Sequence, residues 1–590
     1  MDWNKLDPRT LSGLGTHANA DRCDPWLLWS LATGFAGHPD MRFGLGDVKQ
    51  LLVAAEFCCA SAQRSPLVCA PAYAGQHHVT GAIDVDKLAE LTNNPQLIRF
   101  RLGAPLLGDQ WPRSPDRLPK PLPPGQVPIV AVIDYGFAFA NRAFRNNRGG
   151  SRVVAMWDQS PDRTVVGAEQ PKGWNPVAGF GYGCVLTKRR IDKLIKTFPD
   201  DEMRLYAEAK YPPAQRRISH GTHVLDLAAG HPDPMTLSVR PARDAAANAP
   251  ILLVQLPAKP AMDTSGVSLC VHLLDALHWI AAQSGARKVV VNLSDGTYAG
   301  PHDGTSLLES AIDDFLNTHP NVTFVIAAGN GYEEHGHASL CAPANGTTSP
   351  PMSLRLLPED STDSFVEVWL PRGLSARARV SLRLRPPGMG KEIVVKLGEH
   401  RVARSDGRIS AAVMSTRSSP NAPGRAMFLV ALAPTRVPRR SAGSKVDPRA
   451  PAPHGIWQIC VNNASTSDIR VDAWIERDDP ALGDRSPRRQ ARFVGGHPPA
   501  YVSKEQTLNS VATGAFSIVV GGLIHKGKMF EDRNVTVPNR MATYSSSGPG
   551  RSQYAPVTGP NVAAASEFSP NLHGLLAAAN RSELFPVLVG

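Results

Sequence analysis

Three polar residues fall where short apolar segments end or a helix begins, and together they could carry out acid–base chemistry. Asp134 closes "VPIVAVID", Asn330 closes "FVIAAGN", and His220 stands in "RISHGTHVLDLAAG", a Gly-Thr-rich turn that leads into a helical pattern. Open α/β sheets build their sites in the crevice at the carboxyl ends of the strands. A carboxylate, an imidazole that titrates near neutral pH and a side-chain amide are therefore candidates for one site.

Each of these residues, taken alone, also has a structural interpretation. Asp134 could cap a helix, His220 could be a partly buried histidine with satisfied polar atoms, and Asn330 could be a turn residue. All three in this order, each at a strand end or a helix start, favour the functional interpretation.

The segments that position these residues indicate an α/β core. Apolar runs such as "APILLVQLPA" and "ARKVVVNLSDG" are typical of strands buried on both faces of a parallel sheet. Helical patterns at 267–285 and 305–320 each lead directly into a strand, as a β-α-β connection requires. The predicted fold class is therefore α/β, with a doubly wound, mainly parallel sheet whose first part spans residues 127–347.

A different pattern occupies residues 352–480. Period-two or short β-rich runs such as "SFVEVWLP" and "GIWQICVNN" alternate with Gly, Pro and Asn, which predicts an antiparallel β-sandwich or jelly roll. The α/β pattern resumes with "GAFSIVVGG" at 514–522. We therefore expect the β domain to be inserted into the core, whose second part spans 505–590.

The residues before the core predict a small α+β region. Residues 46–63 predict a helix inside a helical N-terminal region, 1–76, whose role the sequence does not indicate. Residues 77–105 alternate, show helical spacing and alternate again, which predicts a β-α-β unit. The proline-rich stretch 106–126 is typical of a linker.

Composition argues against several other classes of protein. With 42% hydrophobic and 19% charged residues, the chain is typical of a globular protein. No window reaches the ~18 apolar residues of a membrane span, and no export signal is apparent, so we expect a cytoplasmic protein that binds no membrane. The eight cysteines lack ligand spacing, so no metal site is assigned. The net charge is +11, but the Arg-rich pieces lack interleaved aromatics, so no nucleic-acid partner is expected.

The ordered motifs resemble those of the subtilisin-like serine peptidases, or subtilases. The family carries Asp-x-Gly, His-Gly-Thr-His, Ala-Gly-Asn and Gly-Thr-Ser, in the order Asp, His, Ser. The first three appear here with Asp134, His220 and Asn330 in the matching positions. The resemblance covers about 127–345 and again from about 507 to the end, and it implies a subtilisin-like fold and serine endopeptidase activity.

The resemblance also implies a role for each residue. Asp134 would fix the tautomer of His220, which would act as general base toward a serine hydroxyl and then as acid toward the leaving amine. The Asn330 amide would donate to the oxyanion. An extended peptide substrate would lie between two backbone edges. One edge is formed by Ser294, Asp295 and Gly296, and the opposite edge by Ser265 and Gly266. Ala327, Ala328 and Gly329 would line the primary pocket.

Further expectations concern specificity, cofactors and the nucleophile. Asp295 is charged where the family often has an apolar residue, which weakly favours basic substrate side chains. No cofactor is expected, although the family often binds calcium at sites that cannot be placed here. The unit at 77–105 looks like a propeptide, a partner within the same chain, and the β insert resembles the jelly roll of some bacterial subtilases.

The resemblance places the Gly-Thr-Ser nucleophile motif at and just after Gly590. We therefore expect the chain to lack the serine and to be inactive. The alternative hypothesis is a non-catalytic pseudopeptidase that acts as a peptide-binding or regulatory module.

Overall fold

In the described residues, the sheets comprise a mainly parallel core sheet, the two antiparallel sheets of the insert, a small N-terminal sheet and a two-stranded sheet near the C-terminal end. The computed structural model describes residues 2–5, 22, 24–36, 48–69, 73–107, 120–160, 173–231, 245–257, 266, 268–374, 379–388, 390–418, 425–437, 447–478, 489–495, 501–524, 540–551, 555–567, 574–584 and 587–589.

The N-terminal part forms a four-stranded antiparallel sheet with the strand order β3-β4-β2-β5. The elements of the N-terminal part, in chain order, are β1 (Asp2–Lys5), α1 (Pro25–Thr33), β2 (Val48–Phe57), β3 (Val68–Cys69), β4 (His78–Asp84), the 3₁₀ turn Val85–Lys87, α2 (Leu88–Asn93) and β5 (Leu97–Leu107). The predicted strand, helix and strand of 77–105 are present as β4, α2 and β5. β1 instead pairs with a strand of the insert.

The helix predicted over 46–63 is wrong, because this segment contains strand β2. β2 pairs with β4 on one side and with β5 on the other. Residues 51–55 are buried on both faces, so the apolar run shows no alternation. A short apolar run cannot be assigned by periodicity alone, and pairing with two strands overrides the local helix preference of Leu, Ala and Glu. The helix of the N-terminal region lies earlier, at α1, where the Asp24 carboxylate accepts the Trp26 N–H at 3.0 Å.

The core sheet is mainly parallel, as predicted, with the strand order β27-β26-β12-β11-β6-β10-β7-β9-β8 and with β28 beside β26. Its first part contains β6 (Ile129–Asp134), β7 (Val153–Asp158), β8 (Asn175–Pro176), β9 (Cys184–Thr187), α3 (Lys188–Thr197), α4 (Glu202–Glu208), α5 (His220–Ala229), β10 (Ile251–Gln255), α6 (Ser268–Ser284), β11 (Val289–Leu293), α7 (Leu307–Thr318) and β12 (Val322–Ala327), with 3₁₀ turns at Arg142–Phe144, Pro212–Gln215 and Ala246–Asn248.

Both faces of this sheet are covered, which accounts for the nearly continuous apolar runs in its sequence. Alternate residues of β6 enter two different cores: Ile133 packs with α6 and α7, whereas Val132 packs with α3, α4 and α5. Leu252 and Leu253 of β10 divide in the same way. Helices therefore lie on both sides, and the doubly wound α/β fold class is confirmed.

The insert is an antiparallel sandwich of two sheets around a core of its own. Its strands extend on both sides of the predicted 352–480: β13 (His337–Ala342), β14 (Thr347–Thr348), β15 (Met352–Leu356), β16 (Ser364–Trp369), β17 (Val380–Arg385), β18 (Ile393–Lys396), β19 (Arg401–Ser405), β20 (Arg408–Thr416), β21 (Met427–Leu432), β22 (Gly455–Asn463), β23 (Ile469–Ile475), β24 (Arg492–Val494) and β25 (Val502–Ser503).

The chain returns to the core sheet after the insert. The elements are β26 (Ile518–Ile524), β27 (Arg540–Met541), β28 (Val562–Glu567), β29 (Leu575–Ala577) and β30 (Val587–Val589). β26 pairs with β12 in parallel, so it completes the sheet that the insert interrupts. Among the described residues, no helix has the length and apolar character needed to cross a membrane.

The N-terminal sheet packs on helices α6 and α7 of the core. The buried Asp275 of α6 accepts hydrogen bonds from Tyr73 at 2.6 Å and from Thr80 at 2.5 Å. Burial raises the pKa of the Asp275 carboxyl to about 6, although the hydrogen bonds oppose this. Gly103 of β5 lies against α6, where a Cβ would come within 2.3 Å of Val271 Cγ2.

Substitution of Gly103 by alanine should weaken this contact because the added methyl overlaps a stiff β-branched side chain. We expect the free energy of unfolding to fall by about 1–3 kcal/mol, measured by denaturant unfolding. Val271→Ala removes the opposing methyl groups, so the double variant should lose less than the two single variants summed. Strictly additive losses would show that the two residues do not meet.

Candidate active site

The Asp134 carboxylate and the His220 imidazole form a hydrogen-bonded pair at the carboxyl end of β6, a central strand of the core sheet. Asp134 is the last residue of β6, and His220 is the first residue of α5. Nδ1 of His220 lies 2.8 and 2.9 Å from the two carboxylate oxygens. Asp134 is 3% exposed and the His220 side chain 39%, so the pair joins a buried carboxylate to an imidazole that solvent reaches.

Close backbone approach brings these two elements together, and glycine permits it. Gly136 has a φ of +80°, and a Cβ there would lie 2.5 Å from Ser219 Cβ. The Gly221 N–H donates to the Tyr135 carbonyl at 2.9 Å, and a Cβ on Gly221 would lie 2.8 Å from the Gly136 carbonyl oxygen. Side chains at either position would separate the strand end from the helix start.

Side chains of the histidine motif form hydrogen bonds with backbone groups of the loop that follows Asp134. Thr222 Oγ1 accepts the Ala138 N–H at 2.8 Å, and Ser219 Oγ lies 2.8 Å from the Gly136 carbonyl oxygen. His223 Nε2 lies 2.8 Å from the Leu575 carbonyl oxygen, so its ring links α5 to the C-terminal part of the core. The motif therefore serves packing as well as chemistry.

Charge raises the pKa of the His220 imidazole above its ordinary value. The largest cause is the Asp134 carboxylate, which stabilises the imidazolium, while burial of the ring opposes it. The Asp295 carboxylate raises the pKa further, and the Arg477 guanidinium lowers it. Two charged residues outside the predicted pair therefore act on the imidazole.

A cavity of about 270 Å³ holds most of the predicted substrate-binding residues. Asp295 and Ala327 stand near the ends of the parallel neighbours β11 and β12. An apolar cavity of about 150 Å³ can hold a benzene ring, so this one has room for a large side chain. The predicted residues on its wall are Ser294, Asp295, Gly296, Ala327, Gly329 and Asn330.

The loop that carries Asn330 is fixed from behind. Ser546 Oγ accepts the Gly331 N–H at 2.8 Å, and the Ser546 N–H donates to the Gly329 carbonyl at 2.9 Å. Asn330 itself is exposed at the cavity wall. The asparagine is thus held by its neighbours on a rigid loop.

The remaining predicted residues are less directly placed. Ala328 is buried and is not on the cavity wall. Gly266 lies directly against the segment that follows Ser294, Asp295 and Gly296: a Cβ on Gly266 would lie 2.0 Å from Thr297 Oγ1. Ser265 lies outside the described residues. Among the described residues, no three potential ligands gather into a metal site.

No serine of the described residues is hydrogen-bonded to His220 Nε2. The serine block after the insert is engaged with backbone instead: Ser545 Oγ accepts the Gly522 N–H at 2.9 Å, and Ser547 Oγ donates to the Lys504 carbonyl at 2.7 Å. These hydroxyls support the core and the loop of Asn330.

Sequence reasoning missed that the β insert contributes to the cavity. Trp474, Ile475 and Arg477 lie at and just beyond the end of β23, and they form part of the wall together with Tyr298 of the core. Trp474 is stacked between His302, at 4.2 Å, and His337, at 4.6 Å. Nothing in the period-two pattern of β23 distinguishes the strand end that reaches the core, so the sequence offered no signal.

Comparison with known proteins agrees with this arrangement. Residues 125–349 match the sequence model described as the subtilase family, Peptidase_S8. The structure of the Clostridium perfringens CspB protease superposes with a TM-score of 0.53 at 18% identity, covering 79% of this chain and 80% of that one, which shows a shared fold. The propeptide form of Bacillus licheniformis lipase BlEst2 gives a TM-score of only 0.15 at 11% identity over 61% of this chain and 76% of that one, and so carries no weight. No curated protein matches the chain. Residues 125–349, the part of the chain that carries Asp134, His220 and Asn330, are thus similar to the subtilase family of serine peptidases.

Proposed function

We propose that this chain carries the acid–base and substrate-binding parts of a subtilisin-like serine endopeptidase. The observation that carries the proposal is the hydrogen bond from His220 Nδ1 to the buried Asp134 carboxylate, beside a cavity that holds Asn330. Nδ1 is occupied by Asp134, which leaves Nε2 as the nitrogen that can exchange a proton with a nucleophile.

Each group has one task in peptide hydrolysis. Neutral His220 takes the proton from a serine hydroxyl as the oxygen attacks the peptide carbonyl, and Asp134 stabilises the resulting imidazolium. The Asn330 side-chain amide donates a hydrogen bond to the oxyanion of the tetrahedral intermediate. The imidazolium then returns its proton to the leaving amine, and a water molecule repeats the sequence on the acyl-enzyme.

Ser545 and Ser547 bond to the backbone, and no described serine is hydrogen-bonded to His220 Nε2, so this proposal places the nucleophilic serine outside the described residues. Without a serine beside His220, the site would bind peptides without hydrolysing them. The unit at 77–105, whose Thr80 donates to Asp275 of α6, would be the propeptide-like partner within the chain.

Asp134→Asn should lower the pKa of the His220 imidazole, because the main cause of its raised value is removed while burial continues to depress it. The His220 ring protons, followed by NMR during a pH titration, measure this. The control is Asp84→Asn at the half-buried end of β4, which removes a pair with Lys87 and should leave His220 unchanged. An unaltered His220 titration in Asp134→Asn would contradict the proposed pair.

The same pair should make stability depend on pH. The folded pKa of His220 is raised, so the contribution of the Asp134 pairing is fully present below about pH 6.5, the ordinary histidine value. It is lost as the pH rises through the raised folded value. The difference in Tm between the wild type and Asp134→Asn should therefore be larger at pH 5.5 than at pH 9.

Hydrolysis is tested with two forms of the protein: residues 1–590, and the same chain extended by the codons that follow residue 590 in its gene. A fluorophosphonate, which reacts with activated serines, should label only a form that contains a serine within reach of His220. We expect no labelling of 1–590, and in the extended form labelling and peptide hydrolysis that His220→Ala reduces by at least ~10³-fold.

Two outcomes would contradict this proposal. Labelling of residues 1–590 that disappears in His220→Ala would identify a nucleophile among residues 1–590. A reading frame that stops at codon 590 in related genes too, together with peptide binding and no hydrolysis, would favour a peptide-binding pseudopeptidase.

A further inference from the structure

The irregular segment that follows β11 forms one wall of the cavity, and its backbone bonds largely to other parts of the molecule. The Tyr298 N–H donates to Glu476 Oε1 at 3.0 Å, and the Gly300 N–H donates to Glu367 Oε2 at 2.7 Å. Both carboxyl groups belong to the β insert. From the core, Ser510 Oγ lies 2.8 Å from the Thr297 carbonyl oxygen.

The Tyr298 side chain connects this segment to the loop of Asn330. A Cβ on Gly331 would lie 2.6 Å from the Tyr298 hydroxyl and 2.9 Å from its Cζ, so the ring packs directly on that glycine. The hydroxyl is also close to Gly329, where a Cβ would lie 3.2 Å away. A displacement of the Tyr298 backbone would therefore change the cavity next to Asn330.

We propose that Glu476, supplied by the β insert, is a positioning residue that holds Tyr298 against the loop of Asn330 and so sets the shape of the peptide-binding cavity. Glu476 lies between two residues of the cavity wall, Ile475 and Arg477, but is not itself on the wall. That the cavity binds peptides rests on the proposed function, whereas the link from Glu476 to Tyr298 can be tested without it.

The state of the Glu476 carboxyl fits this role. The side chain is buried, and the Tyr298 N–H, the Arg477 backbone and the Thr297 side chain lie close enough to lower its pKa. Burial raises the pKa of Glu476 to about 8, so the group is mainly a neutral acid at pH 7. A neutral acid whose Oε1 accepts the Tyr298 N–H can be replaced by glutamine, which keeps the carbonyl oxygen and the length of the side chain.

Three variants at this position separate positioning from general stability. Glu476→Gln keeps the acceptor, Glu476→Asp withdraws it by one methylene, and Glu476→Leu removes it. Glu476→Asp keeps the test valid if Glu476→Leu does not fold. The control in the same insert is Glu359→Leu, which removes an exposed pair with Arg436.

Hydrogen–deuterium exchange of the full chain measures the coupling directly. We expect the Tyr298 amide to exchange at least about tenfold faster in Glu476→Leu, and faster in Glu476→Asp, because its N–H loses its acceptor. The neighbouring amides of 297–300 should accelerate with it, whereas exchange should stay at the wild-type rate in Glu476→Gln and in Glu359→Leu. Unchanged exchange at 297–300 in Glu476→Leu, or equal acceleration throughout the insert, would overturn the proposal.

Peptide binding gives the second readout. The probe is N-acetyl-Ala-Ala-Ala-Phe, whose ring suits a cavity walled by Tyr298 and Trp474, with N-acetyl-Ala-Ala-Ala-Gly as its control. Calorimetry should show affinity about tenfold lower in Glu476→Leu and restored in Glu476→Gln. Wild-type affinity in Glu476→Leu would overturn the positioning role. If the wild type binds neither peptide, the proposed function fails, and the exchange measurement alone decides whether Glu476 positions Tyr298.

Discussion

The contact between the end of β6 and the start of α5 is the constraint on which the site depends. Asp134 is buried, so its charge needs a partner, and the His220 imidazole at 2.8 Å supplies one. The pairing distance is reached only because Gly136 and Gly221 let the two backbones approach. A sheet buried on both faces fixes the strand end, and the helix start packs against that fixed point.

The insert extends this rigidity to the substrate side of the site. It enters after the loop of Asn330 and returns to the sheet at β26, and Gly336, His337 and Arg492, from its two ends, lie on the cavity wall. The stack of His302, Trp474 and His337 joins the insert to the core by ring contacts. Burial lowers the pKa of His302 to about 3, so the His302 ring adds no charge to this stack near neutral pH.

Buried acids recur where the three parts of the chain meet. Asp275 accepts hydrogen bonds from Tyr73 and Thr80 of the N-terminal part. Glu367 accepts the Trp26 indole N–H of α1 at 2.8 Å as well as the Gly300 N–H. Burial raises the pKa of both carboxyl groups and so favours their neutral forms. At Asp275, the N-terminal part is therefore held to the core by hydrogen bonds rather than by an ion pair.

The sequence by itself determined the core sheet, the order of its strands along the chain and the candidate pair Asp134 and His220. It could do so because strands buried on both faces give continuous apolar runs, and because parallel strands place their carboxyl ends at one edge. The same feature misled the assignment of β2, since an apolar run buried on both faces shows no period that distinguishes a strand from a helix. Only the tertiary structure brought Trp474, Glu476 and Arg477 beside Tyr298, more than 170 residues away in the sequence, and showed that the insert forms part of the site. Such contacts depend on how two separately folded sheets pack, and no local pattern encodes that packing.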